Sequence, residues 1–90
     1  MYKNKVKIYL VIFMSKEIIK YAEYYKKIGR NIAKFRAEQG YTQETFANKV
    51  GISYSYYTQI EAPNVVKKMS LEILLDIAVA LEKDIKDLLP

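Results

Sequence analysis

An all-α domain of five helices is what this sequence predicts, and three observations predict it. Of its 90 residues 51% are hydrophobic, yet only three are Gly and two are Pro, so few residues break helices. Beyond residue 14 the apolar positions recur every three or four residues, the spacing that lines one face of a helix. A chain this short buries only about 60–65% of its unfolded surface, so it supports a single compact core.

The first stretch departs from that pattern. Over residues 5–13, Val6, Ile8, Leu10 and Ile12 alternate with Lys5, Lys7, Tyr9 and Val11, the period of two that marks a strand. No later stretch reads as its partner, so an ordered strand would pair with its symmetry mate across a two-fold axis. The alternative is an extension without a role, because Met14 opens MSKEIIKYAEYY, a second start of its own.

From Ser15 to Gln39, Ile18, Tyr21, Tyr25, Ile28, Ile32 and Phe35 step by three and four. They predict one long amphipathic helix, or two in line with a break near Gly29. Its early stripe of Ile18, Tyr21, Ala22 and Tyr25 can pack on the domain or on a second subunit. Gly40 caps the helix, and Tyr41 is placed in the core with its hydroxyl at the rim.

Thr42–Ala62, TQETFANKVGISYSYYTQIEA, then reads as helix, turn and helix. Thr42 caps the first of these, whose Phe46, Ala47 and Val50 share an apolar face. Gly51 ends it at positive φ, Ile52 plugs the space between the helices, and Ser53 caps the second. Tyr57 and Ile60 point inward with Ile52, whereas Tyr54, Ser55, Tyr56, Thr58 and Gln59 form an uncharged, hydrogen-bonding outer face. Pro63 stops this helix, and Asn64 tolerates left-handed geometry in the turn that follows. After the loop Val65–Met69, Ser70 with Glu72 opens a helix to Leu81 whose Leu71, Leu74, Ile77, Ala78 and Leu81 form a core stripe. Asp84–Leu89 makes a last short helix.

Taken in order, IGRNIAKFRAEQGYTQETFANKVGIS, the run from Ser53 to Glu61 with its closing Q-I-E, and SLEILLDIAVALEKDIKDLL resemble the lambda-repressor and Cro-like helix-turn-helix proteins, the XRE family. The likeness spans about Lys27 to Leu89. It divides the chain into an N-terminal extension, residues 1–26, strand-like at 5–13 and helical from 15, and a helix-turn-helix DNA-binding domain, residues 27–90. Tyr41 stands where the family usually has leucine, and Ala62-Pro63-Asn64 where it more often has a glycine turn.

The resemblance implies a five-helix lambda-repressor-like fold and a sequence-specific regulator of double-stranded DNA, of Cro or repressor type. Such a regulator binds a two-fold symmetric operator as a homodimer; no cofactor is expected, and with the chain stopping at Pro90 no small-molecule effector domain is expected either. It puts Tyr54, Ser55 and Gln59 against base edges, with Ser53 beside them at the head of the helix. It gives Gln43 a phosphate at the N-terminus of its helix, and Tyr56, Lys67 and Lys68 further backbone contacts. It also pairs Arg36 with Glu61 in a partly buried salt bridge that fixes the angle between helices.

Composition bears on the rivals. With no Cys there is no disulfide frame or thiolate metal site, and with no His the commonest metal ligand and general base are missing, so neither a metal site nor a catalytic set is expected. The apolar run Ile8–Met14 is far shorter than the roughly 20 residues of a membrane span, and the chain reads as cytoplasmic. Residues 1–40 hold ten Lys and Arg against three Asp and Glu, an asymmetry that suits a polyanion, although lysines also simply solubilise helices. The second helix of the unit has no Arg or Lys and so lacks the commonest specific base contact, arginine to guanine. That keeps open a different class, a protein-interaction module such as an antitoxin or adaptor with weak or lost DNA binding.

Overall fold

The structure, a computed structural model, describes residues 21–90, so the strand-like run at 5–13, the expected helix start at 15 and Ile18 lie outside the described residues. Among the described residues there are five helices and no strand: α1 over residues 21–38, α2 Gln43–Val50, α3 Tyr54–Glu61, α4 Leu71–Leu81 and α5 Ile85–Leu88. No described helix is long and apolar enough to cross a membrane.

The expected alternative of a break near Gly29 does not occur, since α1 runs through it. The glycine serves packing instead. A Cβ at position 29 would land on the backbone carbonyl of Ile60, so only a residue without a side chain lets α1 and α3 approach this closely. At its C-terminus α1 ends in Gly40 at φ 81°, with the Tyr41 N–H on the Arg36 carbonyl at 3.2 Å and the Gly40 N–H on that of Ala37 at 3.0 Å. These two bonds satisfy carbonyls that the helix leaves without partners.

The predicted caps form. The side chains of Thr42, Ser53 and Ser70 accept from the N–H groups of Thr45, Tyr56 and Ile73 at 3.1, 3.1 and 3.2 Å, and Gly51 closes α2 at φ 89°. Asn64, by contrast, takes no left-handed conformation. The Val65 N–H reaches the Ala62 carbonyl at 3.3 Å and closes a turn with Pro63 and Asn64 at its centre, where proline sets the geometry and no positive φ is needed. The left-handed position falls instead on Glu82, at φ 55°, where the Lys83 N–H reaches the Ala78 carbonyl at 3.0 Å.

The core joins Ile28 and Ile32 of α1, Phe46 and Ala47 of α2, Tyr57 and Ile60 of α3, Met69, and Leu74, Ile77, Ala78, Ala80 and Leu81 of α4 with Leu88 of α5. Phe46 meets Tyr57 edge to face at 5.3 Å between ring centroids, and Ile52 packs half-buried beside them. Tyr41 lies against Phe46 at 5.7 Å, its hydroxyl at the rim receiving the Lys49 ammonium at 2.6 Å. One member of the expected α4 stripe is corrected: Leu71 is 64% exposed, and Ala80 is buried in its stead. Leu71 falls with Leu75 and Val79, four and eight residues on, along the solvent side of a helix that is apolar nearly all round. Two amides, one in α1 and one in the turn that follows it, tie this C-terminal half down. Asn31 donates to the Leu88 carbonyl at 3.0 Å and Gln39 to the Leu81 carbonyl at 2.8 Å, meeting carbonyls at the ends of α5 and α4.

Candidate nucleic-acid interface

The presentation of α3 depends on one carboxylate. Glu61, the last residue of α3, accepts from Arg36 Nε at 2.6 Å and Nη2 at 3.0 Å, from Gln43 Nε2 at 2.9 Å and from the Tyr57 hydroxyl. Arg36 also donates Nη1 to the Tyr41 carbonyl at 2.6 Å, so the guanidinium spans the exit of α1, the entry to α2 and the end of α3. The two charged side chains are 16% and 6% exposed. Burial pushes the Glu61 carboxyl up, but hydrogen bonds from Arg36, Tyr57 and Gln43 outweigh it and hold the group below its ordinary value. Burial and then the bond to Glu61 push the Tyr57 hydroxyl well above its own, so it stays a donor.

With Tyr57, Ile60 and the Glu61 carboxylate held inward, α3 turns Tyr54, Ser55, Thr58 and Gln59 outward. Tyr54 and Ser55 are exposed, Thr58 and Gln59 half-buried. The face carries hydroxyls and one amide and no charge, groups that both donate and accept along base edges. The Thr58 hydroxyl is engaged with the Ser55 carbonyl at 2.8 Å.

Two of the expected contact residues have structural duties as well. Ser53 uses its oxygen as the N-cap of α3, and its O–H remains to donate. Gln43 has one amide N–H on Glu61 and a second to offer at the head of α2. Tyr56 is not a full member of the outer face: it stands half-buried on the flank of α3, packed against the core, with the Lys67 ammonium 4.6 Å from its ring centroid. Lys68, next in the loop, is exposed. Thus the fold gathers Ser53, Tyr54, Ser55, Tyr56, Gln59 and Lys67 on or beside α3.

The sequence reading missed the Tyr57 hydroxyl and the inward half of Gln43. The first had a signal, since Tyr57 and Glu61 are four apart and share a helix face. The second had none, because Gln43 and Glu61 are separated by the whole turn.

A helix-turn-helix family model, HTH_3, matches residues 32–88, more than half of the chain. The chain belongs to the XRE-type helix-turn-helix family. Among solved structures it is similar to the restriction-modification controller protein C.AhdI from Aeromonas hydrophila, at 30% identity and a TM-score of 0.65 over 71% of this chain and 94% of that one. It is similar also to the clp gene regulator ClgR from Corynebacterium glutamicum, at 26% identity and a TM-score of 0.64 over 71% of this chain and 80% of that one. No curated protein matches it. As an XRE-type protein it is a DNA-binding transcription regulator and not an enzyme.

Proposed function

We propose that the protein binds one double-stranded DNA sequence, a two-fold symmetric operator, as a homodimer. What carries the reading is the pairing of a rigid mount with a neutral face: the Arg36–Glu61 bridge fixes α3, and Tyr54, Ser55 and Gln59 stand outward where a major groove would read them. Gln59 and Ser55 donate to and accept from base edges, and Tyr54 packs on a thymine methyl. Gln43, Ser53, Tyr56, Lys67 and Lys68 hold the sugar–phosphate backbone and set register. The partner copy is contacted through residues 1–26, the segment outside the helix-turn-helix domain of residues 27–90.

The test is whether the purified protein retards the DNA upstream of its own gene in the presence of excess competitor, at two salt concentrations. Retention of one band against competitor supports the operator reading. Binding that competitor removes in full, together with a tight protein ligand, favours the interaction module instead, a reading that the lack of Arg and Lys on α3 keeps in view.

A further inference from the structure

The absence of positive charge on α3 leaves a question that its flank answers. A helix with its side chains is about 10–12 Å across and the major groove about 12 Å wide, so a helix seated there has phosphates beside it on both flanks. Phosphate contacts are usually made by Lys and Arg, and α3 has neither. The neighbouring loop supplies one. The Lys67 ammonium lies 4.6 Å from the centroid of the Tyr56 ring, and no acidic side chain pairs with it among the described residues. The ring packs half-buried against the core, and the backbone beneath it is held by the Tyr56 N–H, which donates to the Ser53 hydroxyl at 3.1 Å.

We infer that Tyr56 is a positioning residue for DNA binding: its ring holds the Lys67 ammonium against the flank of α3, at the height of the phosphates, before DNA arrives. The inference rests on the operator-binding reading above. A cation over an aromatic face keeps N–H groups free to donate away from the ring, so the same lysine can touch ring and phosphate at once. A lysine otherwise loses much rotamer freedom on being ordered, and an anchored ring removes part of that cost in advance. Lys68, whose ammonium has no such platform among the described residues, gains nothing from Tyr56.

A neutral residue releases no counterions, and this gives the test. The slope of log K against log salt counts phosphates neutralised by cations, so removing tyrosine alters it only through a lysine. Operator affinity is measured from low to physiological salt for the wild type, Lys67→Ala, Tyr56→Leu, Tyr56→Phe and the Tyr56→Leu, Lys67→Ala double variant. We expect Lys67→Ala to flatten the slope by about one unit. Tyr56→Leu should flatten it by a resolvable part of that unit, Tyr56→Phe should keep the wild-type slope, and the double variant should match Lys67→Ala.

A wild-type slope in Tyr56→Leu beside a flattened one in Lys67→Ala overturns the inference, as does a steeper slope, which would mean that the ring withholds the lysine from DNA. If Lys67→Ala binds the operator with an unchanged slope, the inference also falls, while the regulator reading survives. If the wild type binds no operator, both fall together. Should Tyr56→Leu not fold, proton NMR of the free wild type decides: the ε-methylene protons of Lys67 should be shifted upfield of those of Lys68 by the ring current, and equal shifts overturn the platform.

Discussion

Gly29 of α1 and Ile60 of α3 meet backbone to backbone, with no room for a methyl group between the glycine Cα and the isoleucine carbonyl. This contact sets how closely α3 lies on α1, and the Arg36–Glu61 bridge ties the end of α3 to α1 about two turns further along α1. One restraint is steric and the other ionic.

Gly29→Ala should therefore destabilise the fold, although alanine favours a helix by about 1 kcal/mol over glycine. The clashing atom is backbone carbonyl oxygen, which has no rotamer to escape into, and overpacking of this kind costs about 1–3 kcal/mol or more. A net loss of about 1–2 kcal/mol is expected in urea unfolding. A variant as stable as wild type would show that the two helices separate at little cost.

Glu61→Ala should cost about 3 kcal/mol, because it strands a guanidinium that is only 16% exposed. Arg36→Ala should cost a similar amount, and it also frees the Tyr41 carbonyl. In the double variant the loss should fall clearly short of the sum of the two. Additive losses each under about 1 kcal/mol, as exposed pairs give, would contradict the buried bridge.

The same carboxylate predicts an acid limb of stability. The hydrogen bonds on Glu61 hold its folded value below the ordinary 4.5, so the unfolded chain binds its proton first as pH falls. The contribution is present above about pH 4.5 and is lost as pH drops through the folded value. At the other end the Tyr57 hydroxyl, raised above its ordinary 10.0, contributes stability that is lost as pH rises beyond 10. Unfolding free energies from pH 7 down to pH 3 should fall more steeply for wild type than for Glu61→Gln, and parallel curves would argue against the assignment.

How far the sequence shows these features depends on whether a local signal accompanies them. The caps at Thr42, Ser53 and Ser70 and the glycines at 40 and 51 are legible because each answers to the few residues around it. The Arg36–Glu61 bridge is legible only through the family resemblance, since 25 residues separate its ends. Gly29 is misleading in isolation: glycine inside a helix reads as a weak point, and only the packed partner reveals its use. Leu71 is misread because α4 has too few polar residues to mark its outer side, and Ala80, off the main stripe, is too small to signal burial. Glu82 gives no hint of its left-handed backbone, which glycine or asparagine would have given. The amides of Asn31 and Gln39 reach carbonyls 57 and 42 residues away, a distance over which no spacing rule operates. Of the proposed site, the outward face of α3 follows from the helical period, whereas the doubling of Gln43 onto Glu61 and of Lys67 onto Tyr56 depends on turns and loops.

Recognition should separate into two classes of residue. Gln59→Ala removes a group able to bond two base atoms and should cost about 1–3 kcal/mol on the operator with little change on random DNA. Lys67→Ala with Lys68→Ala should weaken both and flatten the salt slope by up to about two units. Fluorescence anisotropy on operator and random duplexes reads both effects. If Gln59→Ala kept the full preference for operator, base reading would have to lie elsewhere than on α3.

Assembly is the last prediction. A single helix-turn-helix unit covers one half-site, and half-sites lie about 34 Å apart along the duplex, so affinity at an operator needs a contact that fixes that spacing. Two surfaces compete for the role. One is the solvent side of α4, where Leu71, Leu75 and Val79 are 64%, 45% and 76% exposed. The other is the N-terminal segment, in which Val6, Ile8, Leu10 and Ile12 alternate with Lys5, Lys7, Tyr9 and Val11 and lead towards the exposed Tyr21 and Tyr24 of α1. We favour the N-terminal segment: pairing of two such strands across a two-fold axis satisfies one edge of each, and every large apolar side chain it buries contributes about 1.5–3 kcal/mol before ordering costs. Sedimentation of the full chain and of a chain starting at Met14 decides between them. The shorter chain should dissociate at a concentration at least tenfold higher. Equal dissociation constants would remove residues 1–13 from the interface and leave the contact to α1 or to the outer side of α4.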